Sequence, residues 1–173
     1  MTDKKKDLSN YEFFQVVDAQ KKKVGIVTSE WNENITGSLE KACIETLLMH
    51  GILVENIFKI KVPGSFELPM GARLLAAKER LDGVICLGCV IRGETRHDQY
   101  ISQAVANGIM QLQLAIGKPV IFGVLTPDNM EQAIERAGGN HGNKGTEAAI
   151  TALKMMNIAV DLKTSQSYIG FGK

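Results

Sequence analysis

Apolar residues in this sequence occur in two kinds of segment. Short apolar segments at 23–28, 57–62, 83–91 and 119–125 predict four strands. The segment 83–91 is β-branched and does not alternate with polar residues, which predicts a strand buried on both faces of a parallel sheet. After each run, apolar residues recur every three or four positions, as in amphipathic helices. Strands that alternate with helices predict an α/β three-layer sandwich, in which helices cover both faces of a four-stranded parallel sheet.

Capping residues predict where the helices begin. Pro69 suits the first turn of the second helix, because that position needs no N–H donor. The third helix should open at Thr95, since Asp98 follows at the spacing of a capping box, and this start places His97 in the first turn. Asp128 and Glu131 have the same spacing and predict a short fourth helix.

Polar and glycine-rich segments predict the remaining boundaries. Residues 138–145 contain many glycines and should form a loop, and the last helix should end near Asn157. We expect residues 1–20 to be a polar tail and an extended arm, 21–160 the single domain, and 161–173 a C-terminal tail.

Composition excludes several functional classes. The 173 residues carry 20 basic and 19 acidic side chains, so the formal charge of +1 indicates neither a nucleic-acid surface nor a polybasic membrane patch. We find no apolar segment long enough to span a bilayer, which favours a cytoplasmic protein. The cysteines Cys43, Cys86 and Cys89 are too few for a disulfide framework. Cys86 and Cys89 should face opposite sides of a strand, which argues against a redox pair.

Candidate chemistry is concentrated where the predicted strands end. His97 is either a general acid or base beside an anion site at a helix start, or a solvated surface residue, and position alone favours neither. Arg136 and Lys144 are candidate anion ligands, although the segment around Lys144 fails the phosphate-binding P-loop pattern. Three aromatic residues lie at or near strand ends: Trp31, Phe66 and Phe122. They are either core side chains, the interpretation favoured for Phe122, or a stacking surface for a planar heterocycle whose polar edge is read by Glu67 and the backbone of Cys89 to Ile91.

Four ordered motifs then resemble one family, the 6,7-dimethyl-8-ribityllumazine synthases, over about residues 20–158. Residues 62–69, VPGSFELP, resemble its substrate loop, and residues 87–97, LGCVIRGETRH, resemble its catalytic loop. Residues 132–138, QAIERAG, and 142–145, GNKG, resemble its helix-four signature. The resemblance implies a flavodoxin-like fold.

The resemblance also implies a reaction and a set of site residues. Members condense 5-amino-6-(D-ribitylamino)uracil with 3,4-dihydroxy-2-butanone 4-phosphate, without metal or organic cofactor. By resemblance, His97 would transfer protons, while Glu94 and Thr95 amides and Arg136 would hold phosphate, supported by Lys144 and Glu147. The pyrimidine and its ribityl chain would contact Trp31, Ser65, Phe66, Glu67, Cys89, Val90, Ile91 and Phe122.

Family members form pentamers with the active site between subunits, and some assemble a 60-subunit shell. The short segment 138–145 favours the shell, and Phe13–Val17 could add a strand to a neighbour's sheet. Two alternatives remain: an archaeal-type riboflavin synthase, and a non-catalytic flavin- or lumazine-binding shell protein. A flavodoxin-like receiver fits less well, because the central strand lacks an acceptor aspartate.

Overall fold

A computed structural model describes residues 12–166, with side chains to residue 162, and contains the expected sheet. Four parallel strands lie in the order β2-β1-β3-β4. Their bounds are β1 Val24–Ser29, β2 Ile57–Val62, β3 Gly83–Cys89 and β4 Val120–Leu125. The predicted strand order along the chain and the parallel pairing are therefore confirmed.

Helices cover both faces of this sheet. They are α1 Glu33–Met49, α2 Leu68–Lys78, α3 His97–Ile116, α4 Met130–Glu135 and α5 Lys144–Gln166. Alternate residues of β3 point to opposite sides, so Ile85 joins the core formed with α1 and α5, while Cys86 joins the core formed with α2 and α3. The three-layer α/β sandwich is confirmed.

The start of α3 differs from the prediction. The helix begins at His97, two residues after Thr95, and its N-cap residue Arg96 makes no side-chain cap. The Thr95 hydroxyl accepts a hydrogen bond from the His97 N–H at 3.4 Å, which is a local turn contact and not a helix cap. His97 nevertheless lies in the first turn, as expected.

The start of α4 is displaced by one residue from the expected capping box. Asn129, not Asp128, caps the helix, and its side chain accepts from the Gln132 N–H at 2.9 Å. The Gln132 side chain in turn accepts from the Asp128 N–H at 2.9 Å. Pro69 occupies the first turn of α2 as predicted, although that helix ends at Lys78 and not near Leu81.

The prediction was wrong for both ends of the last helix. Helix α5 begins at Lys144, inside the predicted loop, and continues through Asn157 to Gln166. The rest of that loop forms a small antiparallel hairpin of β5 Ala137–Gly139 and β6 Gly142–Asn143. The predicted C-terminal tail therefore starts within the helix, and its residues 167–173 lie outside the described residues.

Helix α5 continues past Asn157, and the side chain of this residue binds the N-terminal arm, which we define as residues 12–17. Its Oδ1 accepts from the Val17 N–H at 3.1 Å, and its Nδ2 donates to the Gln15 carbonyl at 3.0 Å. Phe13 stacks on His50 with ring centroids 4.9 Å apart. The described part of the predicted arm thus packs on its own chain, and residues 1–11 lie outside the description.

Gly145 explains how α1 and α5 approach each other so closely. A Cβ at this position would overlap the backbone carbonyl of Leu39 in α1. The glycine of the GNKG motif is therefore required for helix packing.

None of the helices within residues 12–166 is both long and apolar enough to cross a membrane.

Candidate functional site

The carboxyl ends of β1, β2 and β3 bring most of the predicted pyrimidine-binding residues to one edge of the sheet. Trp31 follows β1, the turn Ser65–Glu67 follows β2, and Cys89 is the last residue of β3. The Trp31 side chain is exposed at this edge, with 72% of its surface accessible. An exposed aromatic face is available for stacking on a planar ligand.

Trp31 lies against the turn after β2. A Cβ on Gly64 would lie 3.5 Å from the Trp31 Cδ1 atom and 3.1 Å from the Glu67 Oε2 atom. That same Glu67 oxygen accepts from the Gly64 N–H at 3.0 Å, which fixes the carboxylate beside the indole. Phe66 is exposed on the same turn. The structure therefore places Trp31, Phe66 and Glu67 around a common surface.

Ser65 adds a buried hydroxyl to this surface. The residue is 6% exposed, and its Oγ has no hydrogen-bond partner within residues 12–166. It lies beside β3, since a Cβ on Gly88 would be only 2.6 Å from the Ser65 Oγ. A buried hydroxyl without a partner costs about 1–3 kcal/mol, so a ligand or water that binds it gains that energy.

The Val90 carbonyl, just after β3, lacks the hydrogen bond that the β3–β4 ladder would give it. The Val90 N–H donates to the Leu125 carbonyl at 2.8 Å, which continues the parallel ladder between β3 and β4. In that ladder the N–H two residues after Leu125 would donate to the Val90 carbonyl, but that residue is Pro127 and has no N–H. The Val90 carbonyl is thus left without a strand partner within the described residues.

The preceding carbonyl, that of Cys89, is occupied by a residue that sequence analysis missed. Asn32, directly after Trp31, donates from its side-chain Nδ2 to the Cys89 carbonyl at 3.1 Å. Asn32 has left-handed backbone angles, φ 59° and ψ 48°. From the sequence, the one signal for this residue is its position directly after a strand. Asparagine tolerates left-handed backbone angles better than most residues, so it suits a sharp turn at that position.

His97 is exposed at the start of α3, on the same edge of the sheet. The loop 90–96 that carries it is tied to the segment after β4, because the Arg92 N–H donates to the Pro127 carbonyl at 3.0 Å. Glu94 and Thr95 were expected to supply amides at the start of α3. They lie instead in this loop, before the helix begins.

A second group of predicted residues lies beyond the carboxyl end of β4. Glu147 is 5% exposed and binds two cations: Arg136 Nη2 at 2.7 Å and Lys144 Nζ at 3.0 Å. Arg136 Nη1 also donates to the His141 carbonyl at 2.6 Å. The buried carboxylate thus holds two basic side chains in fixed positions, and the three charges together leave one positive charge.

A cavity of about 280 Å³ adjoins these cations. It is lined by Val124, Leu125, Thr126, Pro127, Gln132, Arg136 and Lys144. Its size and positive charge suit a small phosphorylated molecule.

Phe122 is not at the end of its strand, which corrects the expectation that it shares an edge with Trp31 and Phe66. It lies in the middle of β4, paired in register with Cys86, and lines a more apolar cavity of about 560 Å³ beside α3 and α5. Lys144 and Glu147 line the same cavity. Phe122 therefore belongs with the second group of residues.

The two groups lie on different parts of the sheet. Trp31 and the turn after β2 lie at the ends of strands β1 and β2, in one half of the sheet. Arg136 and Lys144 lie near the edge strand β4, in the other half. Strand β4 is two positions from β1, which separates the strands by about 10 Å.

The cysteines are buried thiols, as expected. Cys86 packs with α2 and α3, and Cys89 with α1 and α5, so they face opposite sides of β3. Burial raises the pKa of the Cys86 thiol to about 12 and that of Cys89 to about 11. Burial raises the pKa of Cys43 still further, with Glu40 adding to the shift. No group of three His, Cys, Asp or Glu side chains suited to a metal ion occurs among the described residues.

Comparison with known proteins identifies a family that matches most of the chain. The family model described as 6,7-dimethyl-8-ribityllumazine synthase matches residues 21–159. A relative of that description from Cytophaga hutchinsonii is 55% identical over 156 residues, which cover 90% of this chain and 98% of the relative. Relatives of the same description from Parabacteroides distasonis and Porphyromonas gingivalis are each 51% identical, over 88% of this chain and 96% and 94% of theirs.

Proposed function

Because this chain belongs to the 6,7-dimethyl-8-ribityllumazine synthase family, we propose that the residues at the carboxyl edge of its sheet carry out the family's reaction. The chain is a transferase of riboflavin biosynthesis. It condenses 5-amino-6-(D-ribitylamino)uracil with 3,4-dihydroxy-2-butanone 4-phosphate and releases phosphate and water. The assignment of individual residues to these steps is our proposal.

The unpaired hydroxyl of Ser65 beneath the exposed edge is the observation that supports the pyrimidine site best. The pyrimidine stacks on Trp31, with Phe66 nearby. Its polar edge is read by the Ser65 hydroxyl and by backbone groups of Cys89, Val90 and Ile91. Val90 is a better acceptor than Cys89, because the Cys89 carbonyl already accepts from Asn32 whereas the Val90 carbonyl lacks a strand partner within the described residues. Glu67 accepts hydrogen bonds from ribityl hydroxyls.

The phosphate of the four-carbon substrate is bound by Arg136 and Lys144, with Glu147 holding both cations in place. Amides of Glu94 and Thr95, in the loop before α3, complete this site. Because the cations lie two strands from Trp31, we assign them, with Phe122, to a neighbouring subunit. The enzyme then works as a homopentamer, and the short segment 138–145 favours further assembly into a shell of 60 subunits, as the family resemblance implies.

His97 transfers the protons. Schiff-base formation, phosphate elimination and ring closure each need a proton to be moved near neutral pH, which imidazole can do. The exposed position of His97 at the same edge supports this role. We expect no metal or organic cofactor, because each step is an addition, an elimination or a proton transfer. Holding both substrates together supplies much of the rate.

A two-substrate assay tests this function. The protein is incubated with the aminopyrimidine and the butanone phosphate, and lumazine fluorescence and inorganic phosphate are measured together. Equal rates of lumazine and phosphate release are expected. Riboflavin formed from lumazine alone would instead support an archaeal-type riboflavin synthase, and binding without turnover would support a silent shell protein.

The cellular setting follows from the substrates. Both are small polar metabolites, so we expect the enzyme to act in the cytoplasm, with no nucleic-acid or membrane partner. The three buried, unpaired cysteines suit a reducing compartment.

A further inference from the structure

The backbone at Asn32 is unusual for its position. Asn32 and Asp18 are the two non-glycine residues with positive φ among those described, at 59° and 52°. The Asn32 carbonyl accepts from the N–H groups of Ile35 and Thr36, at 2.8 and 3.0 Å, and so starts α1. The chain therefore reverses sharply between Trp31 and the helix.

The Asn32 side chain takes the place of a missing strand bond. The β1–β3 ladder ends with the pair Thr28 and Leu87. Beyond it, the Cys89 carbonyl has no β1 residue to accept from, and the Asn32 Nδ2 fills this position at 3.1 Å. A side-chain amide thus extends the hydrogen bonding between β1 and β3 beyond the end of the ladder.

This bond fixes one peptide group from both ends. The Cys89 carbonyl accepts from Asn32, and the N–H of the same peptide, that of Val90, donates to the Leu125 carbonyl at 2.8 Å. The next carbonyl, that of Val90, is the one left unpaired by Pro127. A fixed peptide before it limits the directions in which this acceptor can point.

We infer that Asn32 is a positioning residue that holds Trp31 and the Cys89–Val90 peptide in fixed relation, so that one pyrimidine ring can be stacked and read at once. This inference rests on the proposed function, which supplies the pyrimidine. Asn32 follows Trp31 in sequence, and its side chain donates a hydrogen bond to the Cys89 carbonyl. It therefore links the stacking residue directly to the backbone that reads the edge of the ring. Asn32 acts through these groups and not on the reacting atoms.

Two variants test the link. Asn32→Gly keeps the left-handed backbone and removes the amide, while Asn32→Asp keeps the shape and replaces the donor with an acceptor. Asp18→Gly is the matched control, because it places glycine at the other left-handed position, next to the N-terminal arm and away from this edge. Trp31 is the only tryptophan of the chain, so its fluorescence reports on the stacking residue alone.

Three readouts are combined on the assembled protein. Tryptophan anisotropy without substrate measures how firmly Trp31 is held, fluorescence quenching by the aminopyrimidine gives its Kd, and the two-substrate assay gives both KM values. Loss of one hydrogen bond predicts about a tenfold rise in Kd and KM for the aminopyrimidine in both Asn32 variants. Lower anisotropy and an unchanged KM for the butanone phosphate should accompany it, with Asp18→Gly like wild type.

Wild-type anisotropy and aminopyrimidine affinity in both Asn32 variants would overturn the inference. An equal rise in both KM values would overturn it too, because a general loss of structure does not separate the substrates. Failure of the proposed function has a different signature: the wild-type protein itself would form no lumazine, whereas the anisotropy comparison needs no reaction.

Discussion

Glu147 fixes the positions of Arg136 and Lys144, the two cations of the proposed phosphate site. It is almost fully buried, and a buried carboxylate is stable only when it is paired. Arg136 and Lys144 each approach one of its oxygens, so neither cation moves freely. Arg136 remains about one-third exposed, which leaves part of its guanidinium available to a phosphate.

Arg136→Ala should raise KM for the butanone phosphate by roughly 10- to 100-fold, because one charge-assisted contact to phosphate is lost. Affinity for the aminopyrimidine, measured by Trp31 quenching, should stay near the wild-type value. Arg80→Ala is the matched control, since Arg80 is exposed just before the amino end of β3, at the opposite edge of the sheet. A change confined to aminopyrimidine affinity would contradict the assignment.

His97→Ala should lower kcat by about a hundredfold or more, the usual contribution of a positioned acid or base. Quenching of Trp31 by the aminopyrimidine should persist, because His97 is not part of the stacking surface. The pair of measurements, kcat and Kd, separates proton transfer from binding. An unchanged kcat would remove His97 from the mechanism.

Local patterns in the sequence predicted the strands of the sheet correctly but misplaced several helix ends. Strands β1, β3 and β4 were predicted correctly because their apolar runs must be buried on both faces, whereas β2, an edge strand, keeps two lysines. The starts of α3 and α4 were misplaced by one or two residues, since several capping residues lie close together and tertiary contacts select among them. The end of α5 was placed too early: Asn157 lies inside the helix, and its side chain binds the N-terminal arm.

For the candidate site too, local patterns predicted some positions and missed others. The positions of Trp31, Ser65 and Glu67 at the edge of the sheet were predicted from their motif and from their place after strands. Asn32 and Pro127 were missed, since their effects depend on which ladder position each one occupies. Phe122 was misplaced because it was counted with the residues at the strand end, although it lies three residues before Leu125, the last residue of the strand in both prediction and structure.

The crossing of α1 and α5 makes a sharp stability prediction. Gly145→Ala should destabilise the fold by roughly 3 kcal/mol, because the new methyl group overlaps the Leu39 carbonyl and the helices must separate. Gly37→Ala is the control in α1: nothing lies within 4 Å of its added Cβ, so it should stabilise by about 0.5–1 kcal/mol. Thermal unfolding of both variants measures the difference, and equal melting temperatures would contradict the packing described.

Burial of the cysteines within the layers predicts their reactivity. Their pKa values are raised, so the thiols stay protonated at pH 8 and should not react with a chromogenic disulfide reagent in the native protein. All three should react after unfolding in guanidinium chloride. Rapid labelling of Cys86 or Cys89 in the native protein would show that the sheet opens more readily than its packing indicates.

The separation of the two residue groups across the sheet is the reason we propose that a second chain completes the site. Trp31 and the turn after β2 lie on one side of the sheet, and Arg136 with Lys144 lies at the β4 edge. In a closed ring, each subunit can present its β4 edge to the pyrimidine side of the next. Every active site would then combine residues from two chains.

Subunit complementation tests this central claim most directly. Trp31→Ala and Arg136→Ala proteins are unfolded, mixed in equal amounts, refolded together and assayed for lumazine formation, with each variant refolded alone as the control. Both substrates are held near the wild-type KM values, where a variant with a raised KM is slow. If sites lie between subunits, about a quarter of the sites in mixed rings are intact, and activity should rise to about a quarter of wild type. If the mixture is no more active than the two variants alone, each site lies within one chain and the account is contradicted.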